Sequence, residues 1–253
     1  MSHPLIAGWL FLFLNPAIII KKDMVLKTNL HFHVSLDESP IIDYDIHQYI
    51  DFAKEKDFDV LAYTPHRKFL FRPEYADYAA RKNILLIPGM EIEIDGKHIV
   101  LVNCGKEAEK IKTFEDLGAY KQKNPQVFVI APHPYVLSPK SLRSKLSENI
   151  TLFDTLELTV FSNKIFDFNK KAAEIAEKYN KPLIANSDTH FLKDLNRGYS
   201  LVEAEKKTIE SVLSAIKEKK FQNKMDSMDI LAMLEFQFKL RIYSLFHPTY
   251  RSK

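Results

Sequence analysis

The chain of 253 residues is long enough for one α/β barrel or two small domains, and its length alone does not require a division. Hydrophobic residues make up 46% of the chain and charged residues 27%, which is typical of a globular protein with a sizeable core and argues against disorder. The formal net charge of +3 is small and the basic residues are dispersed, so we expect no stable nucleic-acid complex, although a nucleotide substrate fits this composition.

The N-terminal residues 4–20 are strongly apolar, but Asn15 and Pro16 interrupt them and no Lys or Arg precedes them. Three interpretations stay open for this leader, which we assign to residues 1–23: a membrane-associated segment, a segment packed on the domain, or a start codon placed too early. We favour translation from Met24 over membrane contact, because the organised part of the chain begins there.

Short apolar runs alternate with longer amphipathic stretches, a pattern typical of repeated β-then-α units and a largely parallel sheet. The runs are residues 24–30, 59–64, 84–88, 98–103, 127–131, 155–160 and 182–186. Apolar residues at helical spacing predict amphipathic helices within residues 44–56, 164–179 and 206–220.

The single cysteine, Cys104, cannot form an internal disulfide, which suits a reducing compartment and predicts a cytoplasmic protein. A last helix-like stretch, residues 226–246, is rich in Met, Leu and Phe. We favour a helix docked on the barrel over a dimer or membrane contact, and leave the oligomeric state open. The predicted division is therefore a barrel domain at residues 24–222 and a helical extension at residues 223–253.

Ionisable side chains follow five of the predicted strands, just past their C-terminal ends. They are His31 and His33, His66, Glu91, His133, and Asp188 with His190. In barrels and open parallel sheets, active sites are built on this face. A lone His is seldom a metal ligand, but His residues repeated at equivalent strand ends indicate one site, and divalent cations would satisfy these imidazoles and carboxylates together.

Five segments of the chain carry a family resemblance: HFHVSLDES, YTPHRK, PGMEIEIDGKH, APHPY and NSDTH. In order and approximate spacing they resemble the polymerase and histidinol phosphatase (PHP) family from about Lys27 to Gly198. The resemblance implies a distorted (β/α)7 barrel of the PHP type and two to three divalent metal ions, zinc, manganese or iron. It implies nine metal ligands: His31, His33, Asp37, His66, Glu91, His98, His133, Asp188 and His190. Pro65 departs from the family pattern, which usually has an acidic residue there to orient a ligand.

The resemblance further implies a metal-dependent phosphoesterase that hydrolyses a phosphorylated small molecule or nucleotide with a metal-activated water. We expect His31, His33, Asp188 and His190 to be catalytic through the metal they hold. Basic residues beside the motifs are candidates for binding phosphate: Arg67 above all, with Lys68 and Arg197.

Two alternative functions stay open. The chain could be a non-catalytic metal-binding scaffold, although a degenerate site usually loses ligands. It could also be an amidohydrolase-like metal hydrolase, but no strand-end motif supplies the bridging carbamylated Lys expected there.

Overall fold

The computed structural model describes residues 23–37, 41–163 and 165–246. The predicted leader lies outside these residues except for Asp23, and so does the end of the predicted C-terminal extension. Within the described ranges, none of the helices combines the length and apolar character that crossing a membrane requires.

The described residues alternate between strands and helices. The strands are Met24–Phe32 (β1), Val60–Tyr63 (β2), Leu85–Ile94 (β3), Lys97–Val102 (β4), Phe128–Ala131 (β5), Thr155–Leu158 (β6), Leu183–Ala185 (β7), Gly198–Ala204 (β8) and Phe221–Met225 (β9). The α-helices are Ile46–Glu55 (α1), Pro73–Arg81 (α2), Phe114–Lys123 (α3), Ser144–Glu148 (α4), Phe168–Lys178 (α5), Ile209–Lys217 (α6) and Ile230–Phe246 (α7).

All nine strands belong to one sheet, in the order β7-β6-β5-β4-β3-β2-β1-β8-β9. Side chains then link its two ends. Asn223 on β9 donates a hydrogen bond to the carbonyl oxygen of Leu183 on β7 (2.8 Å) and accepts one from the backbone N–H of Ala185 (2.9 Å). Beyond β7, Thr189 forms an isolated parallel bridge with Phe32 of β1. The sheet therefore curls into a nearly closed α/β barrel, as the sequence predicts.

The seven predicted apolar runs correspond to β1 to β7, but the sheet is less parallel than predicted. Strand β4 runs antiparallel to both β3 and β5. The cause is a tight hairpin at Asp95 and Gly96, which both have positive φ angles (50° and 73°). A turn this short joins only antiparallel strands, whereas a parallel connection needs a long crossover.

Strands β8 and β9 are absent from the sequence prediction, and with them the sheet departs from a count of seven β/α units. Both are antiparallel to their neighbours. Residues of β8 alternate between buried and half-buried, and β9 is buried at none of its residues. Neither strand therefore has the continuous apolar run that marks a fully buried strand. Strand β9 also crosses the predicted domain boundary at residue 222, so that division stays a prediction.

The predicted helical stretches contain α1, α5, α6 and α7. Helix α1 begins at a capping box, in which the Asp45 side chain accepts hydrogen bonds from backbone N–H groups of the first turn and the Gln48 side chain accepts one from the backbone N–H of Asp45. Helix α6 supplies Val212 and Ile216 to an apolar cluster that includes Leu30 and Ile130 of the strands. Helices α2, α3 and α4 are additional to the prediction; α2 and α3 each bury two residues and α4 buries one, so none presents a long apolar face.

Candidate metal centre

The predicted ligands come together at one edge of the barrel. His33, His66 and His133 lie within three residues after β1, β2 and β5, and His31 is the penultimate residue of β1. Glu91 differs from the prediction, because it lies inside β3, which continues to Ile94.

His98 reaches this edge because β4 runs in the opposite direction. Its position near the start of β4 pairs with Glu93, near the end of β3. An antiparallel strand therefore delivers a ligand from its beginning to the edge where the parallel strands end.

A local irregularity in β1 sets the direction of the H-x-H pair. The register of β1 against β2 shifts between Asn29 and Phe32. Such a bulge bends a strand and re-aims its side chains. The Nε2 atoms of His31 and His33 consequently lie 3.2 Å apart, although alternate residues of a flat strand project in parallel and not towards each other.

Glu91 is one of two carboxylates at the centre of the cluster. Its Oε2 lies 3.0 Å from His66 Nε2, and its Oε1 lies 2.8 Å from His98 Nδ1 and 3.5 Å from His133 Nε2. The Nε2 atoms of His31 and His33 are each 3.6 Å from Glu91 Oε2. Five imidazoles therefore surround this one carboxylate.

Asp188 is the second central carboxylate. Its Oδ1 lies 3.2 Å from His33 Nε2, 3.5 Å from His31 Nε2 and 3.5 Å from His190 Nδ1. Since His31 and His33 also face Glu91, these two rings join the carboxylates into one continuous site.

Two further carboxylates contact the Nδ1 atoms of three of these His rings, which are the outer ring nitrogens that face away from the two central carboxylates. Asp37 Oδ2 is 2.6 Å from His33 Nδ1 and 3.0 Å from His66 Nδ1, and Glu157 Oε2 is 2.9 Å from His31 Nδ1. A carboxylate on the outer nitrogen fixes the tautomer and direction of a ligating His. The sequence predicts Asp37 as a direct metal ligand, but its position is that of a group that orients His33 and His66.

The sequence analysis missed Glu157. It is fully buried on β6, and its carboxylate also accepts hydrogen bonds from the backbone N–H of His133 (3.1 Å) and the side chain of Asn186 (3.1 Å). The available signal was a single acidic residue inside the apolar run of residues 155–160, where an exposed surface charge is unexpected.

Burial alone would raise the pKa of both central carboxyls, but the surrounding imidazoles outweigh it. The pKa of Glu91 is held well below its usual value, mainly by His98, His66 and His31. The pKa of Asp188 is likewise held well below its usual value, with His31 and His190 the largest contributors. Both groups therefore stay ionised inside the protein.

The pKa values of three imidazoles shift in different directions. Burial opposes charge on His31, His66 and His190, yet Glu157, Asp188 and Glu91 raise the pKa of His31 well above its usual value, and Asp37 and Glu91 raise that of His66 to about 10. For His190, burial prevails over Asp188 and lowers the pKa to about 4. His190 is therefore neutral at neutral pH and has a lone pair available for a cation.

The donor set fits divalent cations. Three groups of residues have ligand atoms within 4.8 Å of one another: His33, His66 and His190; His31, His33 and Glu91; and His66, Glu91 and His98. Within the described chain, the buried Oε1 of Glu91 accepts no well-aligned hydrogen bond, despite the nearby His98 nitrogen. A cation would satisfy this oxygen, and mixed imidazole and carboxylate donors suit zinc, manganese or iron.

Two ligands are held by unusual backbone geometry. The φ angles of His133 and Asp188 are 31° and 46°, in the left-handed region that non-glycine residues seldom adopt. Such conformations persist where the surrounding structure enforces them, and they concentrate at functional sites.

Comparison with known proteins supports one family. The model of a family described as PHP-associated matches residues 166–221. No curated protein sequence matches the chain.

Three solved structures share the fold at low sequence identity. A two-domain protein from Bacteroides vulgatus, containing a predicted PHP-like metal-dependent phosphoesterase, has 18% identity and a TM-score of 0.63 over 80% of this chain and 65% of its own. PsfC from Pseudomonas syringae has 13% identity and a TM-score of 0.64, over 87% of this chain and 99% of its own. A lesion-specific endonuclease from Pyrococcus furiosus has 17% identity and a TM-score of 0.59, over 81% and 60%.

The chain therefore shares its fold with PHP-like proteins, and residues 166–221 match a PHP-associated family. It spans 65% of the Bacteroides protein and 60% of the Pyrococcus endonuclease, so each of those proteins has a substantial part that this chain does not match.

The basic residues named in the sequence analysis are not among those that line the cleft over the candidate ligands. Arg67 lines a separate cavity with Glu93 and Glu109. Arg197 pairs with Asp194 (2.7 Å) and Asp226 (3.3 Å). Among the described residues, Lys140 is the lysine or arginine that lines the cleft over the ligands. The predicted contact of Arg67 with phosphate is not favoured by this placement.

Replacing the outer carboxylate of Glu157 should weaken metal binding. Glu157→Gln keeps the shape of the side chain but removes the charge that orients His31, so we expect affinity to fall about 10- to 100-fold. Competition with a chromophoric chelator would measure it, with Glu148→Gln as the exposed control. Unchanged affinity in Glu157→Gln would show that Glu157 does not orient a ligand.

Metal-free protein should lose stability as the pH rises. The folded pKa of His66, about 10, exceeds the usual value of about 6.5, so the stability it contributes is complete below about pH 6.5 and is lost as the pH approaches 10. Bound cations replace the proton as the positive charge and should reduce this loss. Thermal unfolding between about pH 6.5 and 9, with and without metal, would measure both effects. A metal-free melting temperature that stays level or rises over this range would contradict the account.

Proposed function

We propose that this protein belongs to the PHP family and is a metal-dependent phosphoesterase that hydrolyses the phosphate ester of a small molecule or nucleotide. The observation that carries the proposal is the convergence of six imidazoles on the buried carboxylate of Glu91 and the half-buried carboxylate of Asp188 at the floor of a cleft. Ionised carboxylates and a neutral His190 in one cluster are suited to holding several cations. The fold shared with a PHP-like metal-dependent phosphoesterase and an endonuclease supports this reaction class.

The cations would be held by His31, His33, Glu91 and Asp188 on one side, and by His66, His98, His133 and His190 around them. When bound, they lower the pKa of water at the site and offset the negative charge of a phosphate. The role of the protein is to fix the ligand atoms before the substrate arrives.

His190 shows how the chain prepares a ligand. Its Nδ1–H donates a hydrogen bond to the backbone carbonyl of Asp188 (2.9 Å), which leaves the Nε2 lone pair free of a proton. The backbone of Asp188 has a left-handed conformation, and both this carbonyl oxygen and the Asp188 carboxylate face the His190 ring. The NSDTH segment therefore presents two ligands as one unit.

Lys140 is the candidate for binding phosphate oxygens. It lines the cleft, and its Nζ lies 2.7 Å from Glu93 Oε2, which holds the ammonium group at the wall. A lysine in this position can attract a phosphate as a point charge. This assignment replaces the contact predicted for Arg67.

Two observations bear on the alternative functions. An amidohydrolase of the expected type would need a carbamylated Lys between the cations, whereas here Glu91 has the central position among five imidazoles. A scaffold without catalysis would not need a cleft open above the ligands, yet His66, His133 and His190 all line one.

The proposal predicts that Asp188→Ala abolishes hydrolysis and leaves the fold intact. Wild type loaded with zinc, manganese or iron would be tested on a panel of phosphate monoesters and diesters, with elemental analysis of the same sample. We expect Asp188→Ala to lower kcat by at least about 100-fold, since removing a ligand should exceed the effect of disturbing its support. Asp77→Ala, an exposed position on α2, is the matched control.

The contrary result is equally specific. If wild type binds metal stoichiometrically but hydrolyses no phosphoester faster than Asp188→Ala, the scaffold interpretation replaces the phosphoesterase.

A further inference from the structure

The cleft over the metal centre has a second wall that is almost entirely apolar. Its cavity of about 400 Å³ is bounded on one side by the His and carboxylate ligands and on the other by Phe161, Phe166, Phe168, Met233 and Phe236. A volume of this size falls within the range of small-molecule sites.

Phe236 of α7 is the central ring of this wall. Only 8% of its surface is exposed. Its ring centroid lies 4.9 Å from that of Phe161, 5.8 Å from that of Phe191 and 5.7 Å from that of His190, the last two in edge-on contact. The C-terminal helix thus brings an aromatic ring directly against a metal ligand.

Polar contacts fix the start of α7 against the barrel. The backbone N–H of Met228 donates a hydrogen bond to the carbonyl oxygen of Val160 (2.8 Å), and Asp229 accepts one from the backbone N–H of Ala232 (2.8 Å), as an N-cap does. The side chain of Asn163 donates to the sulfur of Met233 (3.1 Å). The wall is therefore held in place before a ligand binds.

The charges of the cleft do not suit a long polyanion. Among the lining residues that the structure describes, Lys140 is the one lysine or arginine, and it is already paired with Glu93. Grooves that follow a nucleic-acid backbone need several basic side chains along their length. The cleft can instead accept one phosphate at its floor and an apolar group at its wall.

We propose that the substrate is a phosphate ester whose esterified group is a compact aromatic or apolar moiety, and that Phe236 and Phe161 determine this specificity. The phosphate would face Glu91 and Asp188, and the organic group would lie against the two rings. This inference rests on the proposed phosphoesterase function. It gives the hydrophobic C-terminal helix a role in selecting the substrate.

The test compares two esters that differ only in a ring. Metal-loaded protein would be assayed with 2-phenylethyl phosphate and ethyl phosphate, whose leaving groups are both primary alcohols, so the ratio of their kcat/KM values reports binding of the ring. We expect a ratio of about 10 to 100 in wild type, from burial of part of a phenyl group.

Variants on α7 locate the effect. Phe236→Ala should lower the ratio about tenfold, because the ring loses its main partner, and Phe236→Leu should give an intermediate ratio. Phe238→Ala is the matched control, since Phe238 is on the same helix with 64% of its surface exposed, and its ratio should equal that of wild type. Circular dichroism and metal content would confirm that each variant keeps the fold and His190 in place.

A wild-type ratio near 1, or the same fall in Phe238→Ala as in Phe236→Ala, would overturn the inference while leaving the phosphoesterase proposal standing. Faster cleavage of a single-stranded or duplex oligonucleotide than of 2-phenylethyl phosphate would overturn it in favour of a nucleic-acid substrate. If no ester is hydrolysed, the proposed function fails. Calorimetry with 2-phenylethylphosphonate and ethylphosphonate would then still test whether the aromatic wall binds the organic group of a ligand. Tighter binding of the phenyl compound would support the inference, and equal binding would overturn it.

Discussion

Two carboxylates at one edge of the barrel, the buried Glu91 and the half-buried Asp188, set the constraint on which the rest of the site depends. Burying an ionised carboxylate costs several kcal/mol unless a positive charge or a strong donor compensates. Six imidazoles face these groups: the carboxylates raise the pKa values of His31 and His66, so these rings carry compensating protons, whereas burial lowers the pKa of His190 and leaves it neutral. Divalent cations would supply positive charge to the carboxylates and would bind the lone pair of a neutral imidazole, so the cluster is suited to holding metal.

Several irregular features of the fold serve this arrangement. The bulge in β1 turns His31 and His33 towards each other, the reversed β4 delivers His98 to the edge where the parallel strands end, and left-handed backbone places His133 and Asp188. Outside the ligands, Asp37 and Glu157 hold the outer ring nitrogens. The aromatic wall then encloses the cleft on its far side, where a low local dielectric strengthens every charge interaction.

The convergence of these side chains was predictable because parallel strands end at a common edge, so residues that follow the apolar runs come together there; their role as metal ligands stays a prediction. The Asp95-Gly96 dipeptide, a strong hairpin signal, could also have shown that β4 is antiparallel. Glu157 and the pairing of Phe161 with Phe236 could not be found this way. Both depend on contacts between residues far apart in the chain, and neither follows a periodic pattern.

The most direct test of the metal centre is a crystal structure of protein loaded with zinc or manganese, with diffraction recorded on both sides of the absorption edge of the metal. The account predicts at least two anomalous difference peaks, each within about 2.5 Å of a His nitrogen and a carboxylate oxygen, with Glu91 and Asp188 among the ligands. Anomalous peaks only elsewhere, or none at this edge of the barrel, would contradict it.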